Sequence, residues 1–303
     1  MLTNMPFEHI IIVVYLKVFS EVKMSIKIIV DSTTDLKDEI RDKVITVPLT
    51  VSFGDEEYVD GVTITHEEFY EKLISGDVMP KTSQVSPGAF SEVFERETAD
   101  GSTLIVLTIS SKISGTYQSA LIAAKDFNNV FVVDSKNLTI SVGILVELAL
   151  KHIEDGMGAE KLVETLCEER EKIYLLALFD TLKYLKHGGR ISKTSALIGG
   201  MLSIKPIVSV RNGDIVVLGK ARGTKQGYNL LIKEIEKSKG IDFKKPILFG
   251  YTGLSDSHLS DFINDSSFLW DGKLNKYDKT IVGSVVGTHA GPDAVAVVFF
   301  EKE

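Results

Sequence analysis

The stretch "TLIVLTISSKISGTYQSA" (103–120) decides how this chain folds. Leu104 to Ile109 form an apolar run interrupted only by Thr108, the pattern of a strand buried on both faces. Two serines stop the run, and Ser114-Gly115-Thr116 opens a segment whose spacing predicts a helix from about Thr116. The first N–H groups of a helix lack internal partners and carry partial positive charge, so such a turn can hold an anion. Glycine permits close backbone approach there, and the hydroxyls add donors. Serine and threonine also cap helices with no ligand at all. A nucleophilic serine is disfavoured, because no G-x-S-x-G elbow surrounds these residues, and the stretch is not a G-x-x-x-x-G-K-[ST] phosphate loop either. Cap and clamp both stay open.

The same grammar recurs on either side. "IKIIV" (26–30) ends at Asp31-Ser32-Thr33-Thr34-Asp35 with a helical continuation. "NVFVVDS" (129–135) precedes the long apolar helix "TISVGILVELALKHI" (139–153). Repeated strand–turn–helix units predict a parallel sheet covered by helices, with ligands beyond the C-terminal strand ends. Past residue 172 the pattern changes. "IYLLALF" (173–179) is followed by two β runs around Asn212-Gly213, a pair suited to a type I′ hairpin turn. Helices are expected over 224–238 and near 255–269. "KTIVGSVVGTHAGPDAVAVVFFEK" (279–302) reads as two β runs around a loop holding His289.

The expected fold class is therefore α/β in two domains. Residues 24–171 form an N-terminal parallel-sheet α/β domain, and 172–303 a C-terminal α+β domain with antiparallel strands. Residues 1–23 include the apolar "FEHIIIVVYLKVF" (7–19), which lacks a positive n-region and a small-residue cleavage site. They are read as an extension outside the domain, which would begin at Met24.

Composition narrows the function classes. A chain of 303 residues with 44% hydrophobic and 25% charged residues has material for a sizeable core. A net charge of −8 and the lack of a Lys/Arg block argue against a nucleic-acid partner. Cys167 is the single cysteine, which excludes a disulfide framework and a multi-cysteine metal site and predicts a reducing, cytoplasmic setting. Its helical spacing assigns it to packing.

Four other places carry chemistry. Thr82, in "KTSQVSP" (81–87), offers a second hydroxyl to an anion at Ser114, while Ser86 or Ser83 would cap the helix that Pro87 opens. His289 lies where a hydrogen-bond donor or proton-exchanging group near a bound anion would be useful. No second ligand stands at metal spacing from it, so no metal is expected. Arg222, with Lys220 and Lys225 close by, forms a modest cationic cluster for a phosphate or an acidic partner. "HGGRIS" (187–192) reads as a helix end, with Arg190 anchoring the domain junction. Asp31 would brace the neighbouring loop rather than bind Mg²⁺.

Taken in order, "IVDSTTDL" (29–36), "PLTVSFGDEEYVDG" (48–61), "KTSQVSPGAF" (81–90), "SSKISGTYQSA" (110–120), "GGRIS" (188–192), "KPI" (205–207) and "GTHAGP" (287–292) resemble the DegV family. That family supplies the fatty-acid-binding subunits of bacterial fatty acid kinases. The resemblance covers essentially all of 24–303. It implies a long-chain fatty acid in a tunnel between two domains, its carboxylate held by Thr82 and Ser114 with Gly115 alongside and His289 near the head group. It implies a role for Arg222 in handling the acyl phosphate or docking the kinase. It also implies that a separate kinase protein supplies ATP and Mg²⁺, that this chain needs no cofactor, and that membrane contact is at most transient. Val85 departs from the proline common in relatives and leaves the hydroxyls intact. Two competing readings are a serine-based hydrolase or phosphotransferase, with Ser114 as nucleophile and His289 as base, and a lipid carrier that serves no kinase.

Overall fold

The computed structural model describes residues 25–191 and 204–303. The segment 1–23 and Ser192 lie outside the described residues. The first half runs β1 (Ile26–Asp31), α1 (Asp38–Arg41), β2 (Ile45–Val47), β3 (Thr50–Phe53), β4 (Glu56–Val59), α2 (His66–Ser75), β5 (Lys81–Ser83), α3 (Pro87–Thr98), β6 (Thr103–Thr108), α4 (Thr116–Ala124), β7 (Val130–Asp134), α5 (Ile140–Glu154) and α6 (Ala159–Glu169). The four strands β2-β1-β6-β7 form a parallel sheet in that order. Every residue of β6 is buried, its end threonines included, as the apolar stretch Leu104–Leu107 predicts. The chain leaves β1 toward β2 and later returns on the opposite side at β6. The gap between β1 and β6 is thus a topological switch point, where ligands settle in such sheets. Asp31 closes the base of that gap: its Oδ2 accepts from Ile109 N at 2.7 Å and its Oδ1 from Thr33 N at 3.0 Å.

A small antiparallel sheet, β4-β3-β5, stands beside the parallel one. Its strands are three or four residues long, too short to show a period in the sequence. It carries Thr82 at the centre of β5. Ser86 is the cap of α3, its Oγ accepting from Ala89 N at 3.2 Å. Val85, in the linker between, is buried.

The second half runs β8 (Ile173–Leu178), α7 (Lys183–Gly188), β9 (Ile204–Arg211), β10 (Asp214–Arg222), α8 (Thr224–Glu236), β11 (Leu248–Tyr251), α9 (Ser257–Asp265), α10 (Ser267–Trp270), β12 (Lys279–Ile281), α11 (Ser284–Ala290) and β13 (Val295–Phe300). Its six-stranded sheet has the order β10-β9-β8-β13-β11-β12, antiparallel except for the parallel β11–β12 pair. Asn212 and Gly213 take φ of 51° and 85°, the left-handed pair a type I′ turn requires. Helix α5 lies between the two larger sheets, against β1 and β6 on one side and β8, β11 and β13 on the other. One apolar core therefore joins the halves, and Cys167 packs at its margin.

Two expectations need correction. The helix near 255–269 is two helices broken at Ser266, whose Oγ donates to Phe262 O and accepts from Trp270 Nε1. His289 is not on a loop between strands but near the end of α11. The β-branched run Val285-Val286 favours a strand locally; tertiary packing prevails. A Cβ on Gly287 would come within 2.5 Å of Tyr70 Oη and 2.9 Å of Phe69 Cε1, so α11 rests directly on α2. Only a helix with glycine at that point fits so closely.

Candidate functional site

Between the two larger sheets lies a cavity of about 370 Å³. Its roof is built from the loops that follow β1, β6 and β7, contributing Thr33, Ile109, Ile113, Ser114, Leu138 and Thr139. Its floor is the inner face of the six-stranded sheet. One cross-strand row of that face reads Val208, Ala177, Ala296, Gly250, each paired in register with the next. Three small residues in one row sink a trench across the sheet. Strands lie about 4.8 Å apart, so the three small residues span roughly 10 Å. One wall is α11 with a residue two positions before its start: Val282, Val285, Val286, His289 and Ala290 line the cavity at helical spacing.

The polar groups gather at one mouth. Thr82 Oγ1 and His289 Nε2 are 3.0 Å apart, bringing β5 and α11 together across some two hundred residues of chain. Burial, with the Arg190 and His187 charges, pushes the His289 pKa down to about 4, so the imidazole is neutral near pH 7. Its Nδ1 is enclosed without a hydrogen-bond partner among the described residues. Gly188 makes room for the ring, since a Cβ there would overlap Nδ1 and approach Cε1 to 2.6 Å. Helix α7 ends at that point, with Gly189 in the left-handed conformation at φ 66°, the helix end expected for "HGGR".

Ser114 lies across the mouth. Helix α4 begins at Thr116 with Gly115 as its cap residue, one step later than a helix opened by Ser114 itself. Ser114 Oγ accepts from Thr116 N at 3.2 Å and lies 2.9 Å from Thr116 Oγ1. Capping is thus one of its jobs, and its hydroxyl still lines the cavity. Gly115 is explained by Gln84: a Cβ would overlap Oε1 and stand 2.7 Å from Cδ of that side chain. Gln84 Nε2 in turn donates to Ser119 Oγ on α4 at 2.9 Å. The Thr82 and Ser114 loops are locked together through this carboxamide.

Two cavity-lining positions are not marked as such by the sequence. Gln84 lines the cavity without any signal in its neighbours. Arg190, expected as an anchor, lines the cavity and bears electrostatically on His289. Arg222 is not part of this constellation. It is exposed at the end of β10, where its backbone N–H donates to Gln226 Oε1 at 3.3 Å. The base–nucleophile pairing of Ser114 with His289 is not formed either: His289 Nε2 pairs with Thr82 and Ser114 with Thr116. Among the described residues no three His, Cys, Asp or Glu side chains are placed to hold a metal ion, and no helix is long and apolar enough to cross a membrane.

The family model described as "Uncharacterised protein, DegV family" matches residues 25–302. The chain belongs to the DegV family. A DegV domain-containing protein of Caldanaerobacter subterraneus subsp. tengcongensis is 37% identical over 283 residues, spanning 91% of this chain and 99% of that one. Among solved structures, a fatty-acid-binding DegV family protein from Thermus thermophilus superposes with a TM-score of 0.82 at 31% identity, covering 92% of this chain and 100% of that one. A stearic-acid-binding protein from Eubacterium ventriosum gives 0.80 at 29%, covering 91% and 98%. The two-sheet architecture is the DegV fold.

Proposed function

We propose that this chain binds a long-chain fatty acid in the cavity and presents its carboxylate to a separate ATP-dependent kinase for acyl phosphate formation. The observation that carries the reading is the union, in one cavity, of an apolar trench with a mouth bearing Thr82, Ser114 and neutral His289. Each buried CH₂ of an acyl tail contributes about 0.8 kcal/mol. A carboxylate at the dry mouth is costly unless it receives hydrogen bonds.

This chain's residues supply those bonds in a definite order. With its proton on Nε2, His289 donates to Thr82 Oγ1, which frees the Thr82 hydroxyl proton for the carboxylate. Ser114 Oγ, already accepting from Thr116 N, turns its own proton to the other carboxylate oxygen. The free N–H groups at the start of α4 and the Arg190 guanidinium add positive potential. A neutral histidine suits this task, for it polarises a hydroxyl without taking the proton. Arg222, on the surface outside the cavity, is assigned to the kinase or to the acyl phosphate. The solved DegV relatives support the reading, since they are described as fatty-acid-binding proteins.

The test is organic extraction and native mass spectrometry of the purified protein, with Ser114→Ala beside the wild type. Wild type retains a fatty acid, and adding an ATP-dependent partner kinase yields acyl phosphate. Ser114→Ala stays folded but loses most of the bound lipid and of the product. A wild-type protein that never carries an acyl chain, or equal occupancy in Ser114→Ala, refutes the assignment.

A further inference from the structure

The start of α11 is held by β11, where Tyr251 O accepts from Val282 N at 2.8 Å, and gripped from the other half of the chain. Tyr70 Oη donates to Val282 O at 2.8 Å. Gly283 N donates to Asp35 Oδ1 at 2.8 Å, and Thr139 Oγ1 donates to Asp35 Oδ2 at 2.5 Å. Thr280 Oγ1 donates to Leu36 O at 3.0 Å. Asp35 is 4% exposed and Tyr70 wholly buried. Gly283 leaves little slack, because a Cβ there would stand 3.0 Å from His66 Nε2 and 3.2 Å from Asp35 Oδ1.

Six residues beyond Gly283, on the same short rod, is His289. At about 1.5 Å per residue the two lie roughly 9 Å apart along the axis. A tilt of α11 at its gripped end therefore displaces the imidazole from Thr82. We propose that Asp35 is a positioning residue of the head-group site: by holding Gly283 it sets α11 so that His289 stands at Thr82. The inference rests on the fatty-acid reading of the mouth.

The grip is also titratable. Burial pushes the Asp35 pKa up to about 7. The groups facing it are Asp60 from the loop after β4, His66 and Tyr70 from α2, and Arg41 from α1. Asp60 is itself raised by burial and adds repulsion; Arg41 offsets part of it. Asp60 is directed at Ser32 and Ser284, yet among the described residues neither of its oxygens has a partner in hydrogen-bond geometry. His66 is held neutral by burial and Tyr70 keeps its proton, so neither supplies a compensating cation. Once Asp35 ionises, the charge is better solvated with the grip open than closed. Raising the pH through 7 therefore loosens α11 and speeds release of the carboxylate.

The experiment measures dissociation of palmitic acid and of hexadecan-1-ol from the full chain at pH 6, 7 and 8, with ¹⁵N NMR of the His289 ring in unloaded protein. Asp35→Asn keeps an acceptor for Gly283 N and carries no charge; Asp35→Ala removes the grip. Wild type should hold the acid longer than the alcohol and release it several-fold faster at pH 8 than at pH 6. Asp35→Asn should keep the preference for the acid and lose the pH dependence. Asp35→Ala should lose the preference at every pH, with a shifted His289 resonance. Wild-type pH dependence persisting in Asp35→Asn, or an unmoved His289 resonance with full acid preference in Asp35→Ala, overturns the proposal. Wild type that retains neither ligand refutes the fatty-acid reading instead, and the NMR comparison then still decides whether Asp35 positions His289.

Discussion

Replacing Gly188 by alanine sets helix propensity directly against packing. Alanine is preferred to glycine inside a helix by up to about 1 kcal/mol, and Gly188 is the last residue of α7. Propensity alone thus predicts a slightly more stable protein. The structure predicts the reverse. The added Cβ overlaps His289 Nδ1, sits 2.6 Å from Cε1 and 3.3 Å from Cγ, so three atoms of a rigid ring must move together. Overpacking of this kind costs about 1–3 kcal/mol. The ring cannot retreat and keep its 3.0 Å contact with Thr82, which forfeits roughly another 1 kcal/mol. The expected net is a loss of about 1–3 kcal/mol in stability, with retention of a bound fatty acid down about 5–30-fold. No polar group has been deleted, so the loss in binding measures position alone. Urea unfolding of the unloaded protein reads the first quantity and a fatty-acid dissociation rate the second. A Gly188→Ala protein at least as stable as wild type, with an unchanged dissociation rate, would refute the packing argument.

Two further outcomes follow from the same geometry. Gly213→Ala places a side chain at φ 85° and a Cβ 2.7 Å from Ser110 Oγ, which donates to Gly213 O at 2.8 Å across the joint between the halves. The expected cost is about 2–3 kcal/mol in urea unfolding, and a loss below about 0.5 kcal/mol counts against the close fit of hairpin and loop. The pH dependence of stability has opposing parts. His289, lowered from 6.5 to about 4, makes stability rise with pH between those values, because the unfolded chain binds the extra proton. Asp35, raised from 3.8 to about 7, makes stability fall over its own interval by up to roughly 4 kcal/mol. Asp31 and Asp60 act with Asp35, and His66 with His289. Urea midpoints at pH 4.5, 5.5 and 6.5 should fall with pH more steeply in His289→Asn than in wild type, and rise relative to wild type in Asp35→Asn. Parallel profiles for all three proteins would contradict both assignments.

Local pattern carried the architecture because strands and helices announce themselves by period. The apolar run Leu104 to Leu107, resumed at Ile109, required burial on both faces, which only a central strand of a covered sheet provides. Asn212-Gly213 specified its hairpin through backbone stereochemistry. Ser86 and Pro87 marked the start of α3. Ser114 and Thr82 stood out as hydroxyls beside strand ends, a chemistry visible in one dimension. The short strands β3 to β5 left no period, and α11 concealed itself behind two adjacent valines. Arg190 was legible as an anchor of the domain junction but not as a cavity wall, and Gln84 as neither, since nothing in their neighbours in sequence distinguishes a cavity wall from solvent.

By itself the sequence determined the two kinds of sheet, the hydroxyl-bearing turns and the helix start at Thr116, all of which depend on residues close together in the chain. Tertiary structure alone decided that Thr82 meets His289 across some two hundred residues, that Gly188 and Gly115 are clearances for an imidazole and a carboxamide, and that Asp35 grips the far end of the helix carrying that imidazole. Those facts depend on how α11 crosses α2 and on where six strands fall in register. Contacts between distant segments are set by packing of the whole core, and no short-range pattern encodes them.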